Sequence, residues 1–164
     1  MFGHVEYTLK PAPGVGIVSS AVMQSDDLDE IDWEWLGGDS NQVQSNFFGK
    51  GQTTTYNRGG FHPNPNNQAD FHTYTIDWTA DQIAWQIDGR TVRTLTPQTA
   101  QTGQYPQTPM MIKVGAWSGG DPNLNAQGTV RKHSNKALRW SYADTLQSGL
   151  VDRRIMLLDL SLCM

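Results

Sequence analysis

The chain has 164 residues, a formal net charge of −4, 17% charged and 37% hydrophobic residues. That is room for one domain with a real core, and the acidic balance gives no electrostatic reason to expect nucleic acid or an anionic membrane as partner. No stretch approaches the roughly 18 apolar residues of a membrane span, the Met1 end shows no charged-then-apolar leader, and a single cysteine, Cys163, forms no internal disulfide.

In chain order, VEYTLK, PAPG and VGIVSSAVM between Val5 and Met23 predict two strands around a Pro/Gly turn. The run Asp29 to Trp35, DEIDWEW, then alternates strictly: Glu30, Asp32 and Glu34 take one set of positions, Ile31, Trp33 and Trp35 the other. Successive side chains of a strand leave opposite faces, so one face is apolar and the other carries three carboxylates. Three like charges in a row repel one another and do nothing for a bland strand. They do split pKa values, which acid–base chemistry requires.

Two carboxyl groups that differ in protonation are the equipment of a glycosidase: one attacks the sugar and the other protonates the departing oxygen. Retaining enzymes hold them about 5 Å apart, whereas residues four apart on a flat strand are roughly 13 Å apart at Cα. Glu30 and Glu34 must therefore lean inward, and glutamate has the reach to do so. Asp32, between them, is placed to hydrogen-bond one of the two and separate their titrations. Spacing alone does not say which glutamate takes which role.

After Gly37, Gly38 and Asp39, NQVQSNFFG predicts a further strand with Gln42, Gln44 and Asn46 on one face and Val43, Ser45 and Phe47 on the other. Gly49 to Asp70, poor in apolar periodicity, reads as a long loop in which His62 is exposed. Phe71 to Trp78 and Ile83 to Gly89 form a hairpin pair turning at TADQ, with His72 structural and IDGR closing the second strand. Trp78 and Trp85 are read as lining the cleft, the core being the alternative, and Arg93 in VRTL is read as facing solvent. Past a loop from Pro97 to Pro109, MMIKVGAW predicts a strand with Lys113, Gly115 and Trp117 on one face, the small glycine leaving room for a ligand. Six Trp alongside abundant Gly, Asn, Gln, Thr and Ser suit an extracellular carbohydrate protein better than a nucleotide enzyme.

The pattern E-x-D-x-E, followed by QVQSN, FHTYTIDW, IAWQIDG and KVGAWSGGD in that order, resembles glycoside hydrolase family 16. Within it, SDDLDEIDWEWLGGD is most similar to the fungal Crh-type cell-wall transglycosylases, which link chitin to β-glucan. The resemblance implies an all-β, concanavalin-like β-jelly-roll sandwich of two curved antiparallel sheets, with the glycan on the concave face and a retaining double displacement. It implies Glu30 as nucleophile, Asp32 as modulator and Glu34 as general acid/base. Gln44 and Asn46 fall by the reacting sugar, Trp117 is a stacking platform, Lys113 a polar contact in the donor cleft, and Thr129 lies near the acceptor side. No cofactor or metal is implied. The partner is a polysaccharide, chitin or β-glucan, met by a monomer outside the cell or in its wall.

The resemblance covers residues 1–130 as a partial catalytic domain and leaves 131–164 as a divergent tail. It starts in the middle of the family pattern, so the sandwich is expected to be incomplete, without secretion signal or first strands. The tail lacks sandwich-like alternation until Ile155 to Leu162. Alternatives to chitin-to-glucan transfer are hydrolysis of a β-glucan, carbohydrate binding without turnover, and an inactive truncated product.

Overall fold

In a computed structural model of the chain, the described residues are 2–52 and 58–118, with the strand backbones of 141–143 and 153–159. The alternating segments become β1 (Gly3–Lys10), β2 (Ile17–Ser25), β3 (Glu30–Leu36), β4 (Gln42–Phe48), β5 (Gly60–Pro63), β6 (His72–Trp78), β7 (Ile83–Ile87), β8 (Arg90–Leu95), β9 (Met110–Ser118), β10 (Ser141–Ala143) and β11 (Arg153–Asp159). They form an all-β sandwich of a six-stranded sheet, ordered β10-β11-β1-β6-β7-β8, and a five-stranded sheet, ordered β5-β4-β3-β2-β9. Every pairing is antiparallel except that of β1 with β11, which is parallel.

The inward set of each strand makes the core. Tyr7 and Leu9 of β1 and Tyr74 and Ile76 of β6 meet Ile31, Trp33 and Trp35 of β3 and Val43 of β4, all essentially without solvent contact. Tyr74 is the hinge of this packing: the rings of Trp35 and Trp33 stand edge-on to it at 4.6 and 5.7 Å between centroids. Such pairs add about 0.5–1.5 kcal/mol each beyond their burial. By fixing the apolar face of β3 against the opposite sheet, they turn its carboxylate face outward.

Turn chemistry sets the register. Asp88 (φ 49°) and Gly89 (φ 79°) both take left-handed backbone, the pairing that a two-residue hairpin turn between β7 and β8 demands. Gly37 answers a different constraint. Its backbone exchanges hydrogen bonds with Gly14 and Ile17 (2.8 and 2.7 Å), so closely that an added Cβ would stand 2.4 Å from the Gly14 carbonyl oxygen and 2.8 Å from that of Ala12. Gly37→Ala is expected to lower unfolding free energy by about 1–3 kcal/mol, the usual cost of forced overpacking, read as a shift of the urea midpoint; an unshifted midpoint would mean that this turn yields freely.

Two expectations change here. The stretch from Gly49 to Asp70 is not loop throughout, because β5 adds to the β4 edge, Val43 facing His62 and Gln44 facing Phe61. Four residues rich in Gly and Pro carry too little periodicity to show this in the sequence. The closing strand of the tail begins at Arg153 rather than Ile155, and β10, three residues long, precedes it.

Candidate active site

Cross-strand register puts the polar residues of the five-stranded sheet on one outer face. Glu30 lies between Gln24 of β2 and Phe48 of β4, Asp32 between Val22 and Asn46, and Glu34 between Ser20 and Gln44. On β9, beyond β2, Met111, Lys113, Gly115 and Trp117 stand opposite Gln24, Val22, Ser20 and Val18. The three acids, Gln44, Asn46, Lys113 and Trp117 thus share one face. Trp117, 46% exposed, offers a free aromatic surface beside the row.

The acids differ in their surroundings. Asp32 is buried, and burial, then its hydrogen bond to Glu30, then the charges of Glu34 and Glu30 push its pKa well above the usual carboxylate range. Its Oδ1 has no hydrogen-bond partner among the described residues, a setting that favours the neutral carboxyl. A neutral Asp32 is a donor, and the acceptor beside it is Glu30. Glu34 is also raised, by burial first and by the charge of Glu30 second. Glu30 further accepts a hydrogen bond from the Gln24 amide at 2.5 Å. The row therefore supplies a carboxylate held by two donors and, four residues on, a carboxyl that keeps its proton to higher pH. A retaining displacement uses such a pair, one group to attack and one to protonate.

Trp78 and Trp85 do not line this face. They are 1% and 0% exposed, and their indole N–H groups donate to the carbonyls of Pro106 and Asp32 (3.1 and 3.2 Å) inside the sandwich. Each lies on the inward set of its strand, so the cleft reading gives way to the core. Thr129 lies outside the described residues.

His62 and Arg93 are likewise corrected. His62 is 8% exposed, its Nε2 2.7 Å from Ser45 Oγ, and burial, then the charge of Arg93, lowers its pKa. Arg93 does not face solvent: its guanidinium donates to the carbonyl and hydroxyl of Ser45 (both 2.9 Å) and to the carbonyl of Arg58 (2.6 Å), lying 4.8 Å over the Trp85 ring. The signal was the buried Leu95 two residues on, which puts Arg93 on the inner face by the period of two. His72, expected to be structural, pairs with Asp88 at 2.7 Å.

Two residues that the sequence does not single out lie against or beside the acid row. Gln24 touches Glu30, and Asp29, one residue before it, receives the backbone N–H groups of Lys50, Gln107 and Thr108. For Gln24 the period of two was available, since it shares a strand face with Val22 and Ser20, but its partner became visible only once β2 was paired with β3.

Comparison with known proteins gives the family. Residues 1–140 match the model of the family described as "Glycosyl hydrolases family 16". The chain is 66% identical over 131 residues to "Crh-like protein 4" of Aspergillus fumigatus, an alignment covering 80% of this chain and 29% of that protein. Among solved structures it is similar to "Crh5 transglycosylase in complex with NAG" (TM-score 0.72, 59% identity, covering 74% of this chain and 51% of that one) and to a Bacillus licheniformis β-glucanase (TM-score 0.66, 33% identity, covering 76% and 57%). The chain spans less than a third of that Aspergillus relative and about half of the Crh5 chain. With the acid row, the sandwich and the match across most of its length, the chain belongs to glycosyl hydrolases family 16.

Proposed function

We propose that the chain carries the catalytic face of a retaining transglycosylase of the cell wall, which cleaves chitin and transfers the released end to β-glucan. Glu30 attacks the anomeric carbon as Glu34 protonates the leaving oxygen. Glu34, now a base, then takes the proton of an acceptor sugar hydroxyl that displaces Glu30. Asp32 donates to the Glu30 carboxylate and holds it in line. Gln44 and Asn46 meet the hydroxyls of the reacting sugar, the exposed face of Trp117 stacks on a ring, and Lys113, with three ammonium donors, has some to spare for hydroxyls. The observation that carries this reading is the placement of Glu30, Asp32 and Glu34 on one face of β3, with the pKa values of the latter two raised. The choice of chitin as donor draws on the similarity to a transglycosylase bound to NAG.

The likeness to a β-glucanase favours hydrolysis of β-glucan as the second reading. The two differ in which polysaccharide is cleaved and in whether a sugar or water resolves the glycosyl-enzyme. Incubation of the full chain with chitin oligosaccharides and a labelled β-glucan oligomer decides between them. Transfer gives a labelled hybrid, whereas shortened labelled chains without hybrid establish hydrolysis instead. Retention of the sugars without either product would reduce the protein to a binder.

A further inference from the structure

We propose that Lys113 is a positioning residue for the nucleophile, acting through the side-chain amide of Gln24. This rests on the role of Glu30 given above and adds two residues to it. Gln24 stands directly across from Glu30 on β2, and Lys113 stands across from Val22 on β9, diagonal to Gln24 and within reach of a long side chain. The Lys113 Nζ donates to Gln24 Oε1 at 2.6 Å, and Gln24 Nε2 donates to Glu30 Oε2 at 2.5 Å.

The chemistry of the three groups fixes the order of this chain. An ammonium only donates, and an ionised carboxylate only accepts. A carboxamide between them therefore has one orientation that satisfies both, its oxygen toward Lys113 and its NH2 toward Glu30. Without the ammonium, the donor that β9 supplies to the Gln24 oxygen is gone, and with it the β9 contact that opposes the flipped amide, which would set an oxygen against the carboxylate. The lysine thereby ensures that a donor, rather than an acceptor, faces the nucleophile.

The consequence is mechanistic. A donor on Oε2 fixes the carboxylate while the anomeric carbon approaches, and it takes up negative charge when the glycosyl-enzyme breaks and Glu30 leaves. Both steps concern the transition state rather than ground-state binding, so the effect belongs in kcat. A lysine that only touched sugar would act on KM, independently of Gln24.

A double-mutant cycle on the full chain, assayed with chitin oligosaccharide donor and β-glucan oligomer acceptor, separates these. Gln24→Leu is expected to lower kcat by about 10- to 100-fold, the worth of a hydrogen bond to a charged group. Lys113→Met lowers kcat less, has no further effect on kcat in the Gln24→Leu background, and is rescued by Lys113→Arg. Multiplicative losses in the double variant, or a Lys113→Met effect confined to KM, would overturn the proposal. A second measurement does not depend on turnover: in nitrogen-15 NMR of the full chain, one Gln24 side-chain amide proton carries the downfield signature of a carboxylate partner, lost in Lys113→Met and kept in Lys113→Arg. A Gln24 signal indifferent to Lys113→Met overturns the proposal even where the chain shows no transferase activity. A protein that shows the NMR response without turnover would count against the proposed reaction, not against the relay.

Discussion

Replacing Glu34 by Gln is expected to cut turnover of an unactivated chitin oligosaccharide by about 10²- to 10⁴-fold, the usual contribution of a positioned acid. The loss should be much smaller for an aryl glycoside whose leaving group needs no proton. Glu30→Gln should remove turnover of both, because no activated leaving group replaces a missing nucleophile. The pair of variants thus assigns the two roles by leaving-group dependence alone. Equal losses on both substrates for Glu34→Gln would remove it as the acid.

The same pair has a titration signature. Burial, then the charge of Glu30, keeps the Glu34 proton in place to a pH above the ordinary carboxylate range. Activity that depends on this proton is present on the acid side and declines as pH rises through the raised value. In Glu30→Gln the repulsive charge is gone while the burial remains, so Glu34 should titrate lower than in the parent but still not as an exposed glutamate. Carbon-13 NMR of the carboxyl groups follows this directly. An unmoved Glu34 midpoint would show that the two acids are too far apart to share one anomeric carbon.

Where the sequence was readable, a single period explains why. Strict alternation in DEIDWEW and in QVQSNFF fixed both faces of β3 and β4, and the acids, Gln44 and Asn46 fell where expected. Trp78 and Trp85 were misplaced because a tryptophan suits a core and a sugar platform equally well. The deciding facts, a carbonyl at the indole N–H and a covering opposite sheet, are tertiary. His62 and Arg93 failed for a related reason: polar residues at the sheet edge turned inward to satisfy Ser45, whose own inward position was legible. Gln24 and Asp29 are separated from their partners by strand pairing or by a long stretch of chain, and no local pattern announces them.

Asp29→Asn is expected to destabilise the fold by about 3 kcal/mol at neutral pH, through three backbone N–H groups and one hydroxyl that converge on its buried carboxylate. Its Oδ2 accepts from Gln107 N (2.8 Å), Thr108 N (3.0 Å) and Thr108 Oγ1 (2.7 Å), and its Oδ1 from Lys50 N (2.9 Å). An asparagine has one oxygen for these four donors, so in either rotamer its NH2 confronts at least one N–H. The clamp ties the start of β3 to the residues after β4 and to those before β9, three strands of the sheet that carries the acid row, with Glu30 as the next residue. Burial raises the pKa of Asp29, but the bonds from Gln107, Thr108 and Lys50 outweigh it and hold the carboxyl below its ordinary value. The sign follows: a depressed folded pKa contributes stability that is fully present above the unfolded value, near 3.9 for an aspartate, and is lost as pH falls through the folded one. Asp32 and Glu34, both raised, act in the opposite sense, stabilising the fold less as pH rises past the unfolded carboxylate range. Urea unfolding of parent and variant from pH 7 downward should therefore show a gap that is widest at neutral pH and narrows once Asp29 itself takes up a proton. A gap that stays constant down to the lowest pH would mean that shape, rather than charge, holds the clamp together.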